Sequence, residues 1–194
     1  MSVRKLRVLI AFTLFLCSSH FLFAETPEVG HKAPDFTLST PEGVKINLSS
    51  MVSKGTVVLI VLRGYPGYQC PYCQLQVHDF VANAQSFAAL HTEVLLVYPG
   101  PPAALDQRAK EFLAKQNTLP SNVHLVVDPD YKVTNEYGLR WNEPHETAYP
   151  STFLIDGHDV VFFRKISHVH ADRTTAEDIV AELKKKRDTL KHRR

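Results

Sequence analysis

The sequence predicts a single α/β domain. Three observations carry that prediction. Short runs of β-branched and aliphatic residues alternate with segments of helical periodicity, in the order β-α-β-α-β-α-β-β-α. One run, Thr56 to Leu62, is almost continuously apolar, as a strand covered on both faces must be. No internal repeat or linker interrupts the pattern.

The elements follow in chain order. Residues 25–35 are polar, with Pro27 and Pro34, and read as an extended lead-in. Phe36–Leu38 and Val44–Leu48 flank Pro41-Glu42-Gly43 and predict a small hairpin. After the strand at 56–62, the residues Gly64-Tyr65-Pro66-Gly67-Tyr68 turn the chain into Cys70-Pro71-Tyr72-Cys73. Leu75, Val77, Phe80, Val81, Ala84, Phe87 and Ala88 then follow largely helical spacing. A helix therefore opens at the cysteines, with Pro71 in its first turn, where a missing N–H costs little.

Val94–Tyr98 reads as a second buried strand, Ala103–Gln116 as a helix and Val123–Val127 as a third strand. Asp128-Pro129 has the character of a helix cap and first position, and Gly138 that of a stop, for a short helix between them. Thr152–Ile155 and Val160–Arg164 form a hairpin around Asp156-Gly157. Thr174 and Glu177 have capping-box spacing before a last helix that turns Ile179, Val180 and Leu183 inward.

Composition narrows the function classes. The chain is 44% hydrophobic and 22% charged, ordinary for a globular protein. Its formal charge of +2 comes from its ends, because residues 25–183 hold 12 Lys/Arg against 19 Asp/Glu. That balance argues against a nucleic-acid partner. The basic tail, Lys184 to Arg194, reads as a solvated helix end.

Residues 1–24 read as a secretory signal peptide. Arg4, Lys5 and Arg7 precede the apolar run Val8–Leu16, and Ala24 precedes a polar stretch. The domain, 25–194, is thus expected to be exported, periplasmic or secreted. The alternative is an N-terminal anchor with the domain outside the cytoplasm, although Val8–Ala24 is short for a span and is broken by His20. No stable membrane insertion is expected once the signal is gone.

The mature chain keeps two of its three cysteines, Cys70 and Cys73. Two intervening residues let both sulfurs share one helical turn, so a disulfide between them can form and reopen. The helix N-terminus favours a thiolate, the species that attacks disulfides and peroxides. Half of a zinc site, an inert buried pair and a structural disulfide are the competing readings. No second Cys/His pair follows at metal-site spacing. A disulfide across so short a loop stabilises little. Redox chemistry without cofactor or metal is the expectation. His168 and His170 are spaced to chelate from one strand face but belong to no recognised set, and His78 reads as a surface residue.

Val29-Gly30-His31-Lys32-Ala33-Pro34-Asp35-Phe36 resembles the opening of the redoxin and AhpC/TSA (peroxiredoxin-like) families within the thioredoxin superfamily. Arg63-Gly64 leading to Cys70-Pro71-Tyr72-Cys73, Asp128-Pro129-Asp130-Tyr131 and Pro150-Ser151-Thr152-Phe153 continue the resemblance over roughly residues 29–185. It implies a thioredoxin-like fold, a central mixed sheet flanked by helices. It also implies two different uses of the cysteines. In thioredoxin-like chemistry Cys70 attacks and Cys73 resolves. In the peroxiredoxin register, Pro-x3-Thr-x2-Cys, Pro66 is retained, Cys70 replaces the threonine and Cys73 becomes the peroxide-attacking residue.

The family's catalytic arginine is missing, since its place before the 152–155 strand holds Tyr149-Pro150. Pro150 is expected as a cis-proline beside the cysteines, and Arg63 or Arg140 as a substitute cation. The first reading is therefore an exported thiol–disulfide oxidoreductase. It would act on protein or small-molecule disulfides and be served by an external thiol donor. A thiol peroxidase is the alternative, and a copper(I)-carrying protein of the same fold is a third.

Overall fold

The computed structural model describes residues 25–116 and 118–192. The expected signal, 1–24, and the last two residues of the basic tail lie outside the described residues.

The strands are β1 Thr37–Ser39, β2 Lys45–Asn47, β3 Thr56–Val61, β4 Thr92–Gly100, β5 Val123–Pro129, β6 Ser151–Ile155 and β7 Val161–Ile166. They form one sheet in the order β2-β1-β5-β4-β3-β6-β7. The central strands β3, β4 and β5 are parallel, whereas β6, β7 and β1 pair antiparallel at the flanks. The helices are α1 Leu48–Val52, α2 Pro71–Ala82, α3 Ala84–Ala88, α4 Leu105–Leu113, α5 Lys132–Glu136 and α6 Ala176–Lys191. This is the expected thioredoxin-like architecture, a mixed sheet between two helical layers.

The run at 56–62 explains the layering. Residues Val57 to Leu62 are fully buried, and successive side chains point to opposite faces. Val58, Ile60 and Leu62 enter a core with Phe80, Phe87, Phe112 and Ile179, from the side of α2, α3, α4 and α6. Val57, Leu59 and Val61 enter a second core with Leu48, Met51, Val133 and Tyr137, from the side of α1 and α5. Each buried aliphatic or aromatic side chain contributes about 1.5–3 kcal/mol, so the two cores fix β3 firmly. Its C-terminal end is where the chain turns toward the cysteines.

Several expectations are corrected. The stripe of α2 runs through Cys73, Gln76, Val77, Phe80 and Val81, so Leu75 faces solvent at 67% exposure and a glutamine takes the inward place. The helix expected to continue to Ala88 breaks at Asn83, whose side-chain amide donates to the Asp79 carbonyl at 2.9 Å. The α6 capping box is Thr175 with Asp178, one residue later than predicted. Thr174 is instead buried, its hydroxyl 2.8 Å from that of Thr152.

Asp128 is not the residue flanking a helix that starts at Pro129. It lies fully buried one residue before the end of β5 and reaches forward to the start of α5. Its carboxylate accepts from the Val133 N–H at 3.0 Å, the Thr134 N–H at 2.8 Å and the Thr134 hydroxyl at 2.7 Å. Truncation would leave two helix N–H groups and a hydroxyl without partners in a dry site. Asp128→Ala is expected to cost about 3 kcal/mol by chemical denaturation, since charged hydrogen bonds each contribute roughly 1.5–3 kcal/mol and do not add fully. A loss below about 1 kcal/mol would show that this carboxylate is not what anchors α5.

Candidate active site

Gly64 makes the turn that delivers the motif. It lies at φ +73°, and a Cβ there would stand 1.9 Å from the Pro99 carbonyl oxygen, so only glycine fits. The loop that follows is tied to the sheet by Gln69. Its amide oxygen accepts from the Tyr98 hydroxyl at 2.7 Å, and its N–H donates to the Arg108 carbonyl at 2.8 Å. Pro66 lies half-buried in this loop.

Cys70 occupies the cap position of α2, Pro71 its first position and Cys73 the end of its first turn. Both thiols are free and buried, Cys70 at 1% and Cys73 at 0% exposure. Cys70 is the residue at the cap, and burial alone would raise its pKa. Its pKa nevertheless falls to about 5. The hydrogen bond from the Cys73 thiol is the main cause, working against burial, and the Cys73 N–H, Arg173 and Arg63 add to it. Burial pushes Cys73 the other way, well above the usual thiol range, and the hydrogen bond to a charged Cys70 reinforces that rise. The pair therefore carries one negative charge, held on Cys70.

Arg173 is the cation nearest that charge. Its Nη2 is 3.7 Å from Cys70 Sγ, its Nη1 donates to Gln76 Oε1 at 3.0 Å and its Nε to the His170 carbonyl at 2.8 Å. Sequence reasoning missed it, because it comes from the loop before α6. Gln76 held the available clue, since a polar side chain on the inward stripe needs a buried partner. Its own amide donates to Thr174, which fixes the loop that carries Arg173.

Arg63 is one of the two predicted substitutes and does lie near the sulfurs. It is 1% exposed, ion-paired with Glu146 and placed with its guanidinium carbon 5.0 Å from the centre of the Tyr68 ring. Arg140 is not at the site. Its guanidinium donates to the carbonyls of Trp141, Glu146 and Thr147 and lies 4.0 Å over the Tyr131 ring, so it braces a loop.

Pro150 is also corrected. The described residues contain no cis peptide bond. Pro150 leads straight into β6, and its carbonyl accepts from the Ser167 N–H at 2.8 Å, the ordinary role of a proline opening a strand. His78 is exposed, as read. Beside Cys70, Tyr72, Leu75, Gln76, Asp79 and Arg173 help to line a surface groove of about 280 Å³.

A thioredoxin-like fold that buries a paired thiol and thiolate at the start of the helix following the central strand β3 defines a thiol-based redox protein. Comparison with known sequences sharpens this. Residues 29–164 match the AhpC/TSA family, and the chain belongs to that family. Peroxiredoxin Bcp of Bacillus subtilis is 30% identical over 164 residues, covering 79% of this chain and 98% of that protein.

Solved structures agree in fold. Peroxidoxin BcpB of Mycobacterium tuberculosis superimposes with a TM-score of 0.66 at 22% identity, over 81% of this chain and 97% of that one. Reduced Prx3 of Vibrio vulnificus, in complex with hydrogen peroxide, gives 0.67 at 20% identity, over 80% and 98%. The chain is thus a redox enzyme of a peroxiredoxin-like family. The curated relative is a peroxiredoxin, whereas the sequence placed disulfide exchange first. Among the described residues no helix is long and apolar enough to cross a membrane.

Thiolate absorbance at 240 nm, followed against pH in the reduced protein, is expected to show one thiolate with a midpoint near 5. It should vanish in Cys70→Ser and rise by about one unit in Arg173→Met, the size of effect a neighbouring cation has at a partly screened site. Because the folded-state pKa of Cys70 is depressed, its ionisation stabilises the reduced fold fully above the unfolded thiol value. That stabilisation is lost as pH falls toward 5. Denaturation midpoints of the parent and Cys70→Ser should therefore converge between pH 9 and 5. A midpoint near the free-thiol value would refute the charge assignment.

Proposed function

We propose that the chain is a thiol peroxidase in which Cys73 attacks the peroxide and Cys70 resolves the product. The observation that carries this reading is the burial of both sulfurs, at 1% and 0% exposure, in a chain of the AhpC/TSA family. A hydroperoxide is small enough to reach a buried sulfur, whereas a protein disulfide must be brought in line against an exposed one. The family register supports the assignment, since Pro66, Cys70 and Cys73 occupy the places of its proline, threonine and reactive cysteine.

The charge distribution supplies a route. Cys70, which holds the charge of the resting pair, takes the Cys73 proton across their hydrogen bond as the Cys73 sulfur attacks one peroxide oxygen. The O–O bond breaks, and the departing hydroxide or alkoxide takes that proton from Cys70. Cys73 is left as sulfenic acid and Cys70 as thiolate. The Cys70 thiolate then attacks the Cys73 sulfur. Hydroxide leaves, gains a proton from solvent as water, and the Cys70–Cys73 disulfide closes. An external thiol donor returns the pair to the reduced state. We read residues 1–24 as placing this activity outside the cytoplasm.

Disulfide exchange with Cys70 attacking first remains the second reading, favoured by the lowered Cys70 pKa and by exposed Tyr68, Tyr72 and Leu75 around the motif.

Peroxide added to the reduced protein separates the two. The parent should consume about one equivalent per chain and form the internal disulfide. Cys70→Ser should still consume peroxide and accumulate a trappable sulfenic acid on Cys73, because serine restores the hydroxyl the family has there. Cys73→Ser should react no faster than a free thiol. Persistence in Cys73→Ser but not Cys70→Ser would move the attack to Cys70, and slow oxidation of the parent would leave disulfide exchange.

A further inference from the structure

We propose that Glu146 is the positioning residue that holds both arginines of the site around Cys70, Arg63 directly and Arg173 through His170. The inference rests on Cys70 and Cys73 being the redox centre, as proposed above.

The contacts form one continuous chain. Glu146 Oε2 accepts from Arg63 Nε, and Oε1 meets His170 Nε2 at 2.8 Å. The His170 carbonyl accepts from Arg173 Nε at 2.8 Å, and Arg173 Nη2 ends 3.7 Å from Cys70 Sγ. Arg63 is held a second time, by the His145 carbonyl at 2.5 Å. The segment that carries Glu146 is itself braced, because Arg140 donates to the carbonyls of Glu146 and Thr147. Trp141 stacks on Tyr149 at 4.8 Å between ring centres and lies 5.4 Å from the His170 ring, which restricts that imidazole. Glu146 is only 11% exposed and Arg63 only 1%, so neither side chain is free to wander.

Two cations from distant parts of the chain converge on one sulfur, and neither is held there by the sulfur alone. A free arginine loses its attraction to a thiolate quickly with distance, and a long side chain resists being fixed in one rotamer. A single carboxylate with both oxygens engaged overcomes this for Arg63 and for the backbone that holds Arg173. The charged and titratable groups facing Cys70 are Cys73, Arg173, Arg63 and Tyr98. Those facing the Glu146 carboxylate are Arg63 and His170, and His168 packs nearby against Tyr149.

Glu146 is itself an anion, so its charge acting through space raises the Cys70 pKa, whereas its hold on two arginines lowers it. The sign of the effect therefore tells the two roles apart. Thiolate absorbance at 240 nm is titrated in the parent, Glu146→Asp and Glu146→Gln, without any peroxide, so the outcome does not depend on the peroxidase reading. Aspartate keeps the charge and is one methylene too short to engage both partners, and its midpoint should rise by about one pH unit. Glutamine removes the charge, and its midpoint should rise as well.

No change in Glu146→Asp, or a fall in Glu146→Gln, would overturn the proposal and leave Glu146 as a counter-charge to Arg63. Should Glu146→Gln fail to fold with Arg63 unpaired, Glu146→Asp decides alone. A parent titrating only near the free-thiol range would instead show that the Cys70 charge is misassigned, a separate failure.

Discussion

One negative charge held on a buried sulfur is the constraint around which this site is arranged. Removing an anion from water is costly unless cations and N–H groups replace the hydration it loses. Each feature near Cys70 answers that demand. The first turn of α2 supplies the Cys73 N–H and the Cys73 thiol, and the helix adds the positive end of its dipole. Arg173 and Arg63 supply full charges from opposite ends of the chain. Gly64 is required because the backbone must turn tightly against Pro99 to bring the cysteines to the end of β3. The two cores make that end a rigid platform, since β3 is packed on both faces.

Much of this framework could be read from the residues. The apolar run at 56–62 announced a central strand, and the structure places it between β4 and β6, as deeply buried as the run requires. The two cysteines beside Pro71 announced the start of a helix. Misreadings fell where one position serves a partner distant in sequence. Gln76 falls on the helical stripe of Cys73, Val77 and Phe80 that apolar Leu75 misses, and only the arrival of Arg173 and Thr174 explains why a polar side chain can occupy it. Asp128 before Pro129 looks like a helix cap, and only the pairing of β5 through Pro129 with Gly100 shows that the strand continues past it. The five-residue α1 is too short to display a period.

The arginine that faces Cys70 was illegible for the same reason. Arg63 and Arg140 were candidates because they stood near recognisable motifs, and one of them braces a loop instead. Arg173 lies 103 positions from Cys70 in a segment with no pattern of its own. Such contacts follow from where β7 ends and α6 begins, and therefore from the assembled sheet. The resemblance did imply the need, since the position before β6 holds proline where that resemblance leads one to expect arginine. A site that must stabilise a thiolate without that residue has to recruit a cation from elsewhere, and the loop before α6 supplies it.

The replacement of a threonine by Cys70 acquires a physical meaning in this setting. A hydroxyl at the first turn donates a hydrogen bond and remains neutral. A thiol in the same place, beside Arg173, ionises and so can accept a proton as well as donate one. In the proposed peroxidase cycle, the cation that stabilises Cys70 makes it the base for Cys73, and the same charge later makes it the nucleophile that closes the disulfide. One residue serves both halves of that proposed cycle because its protonation state alternates with that of its neighbour, three residues along the same helical turn. The burial of Cys73 fits this division: a sulfur that ionises only as it attacks can remain a neutral thiol in the dry interior until a peroxide arrives.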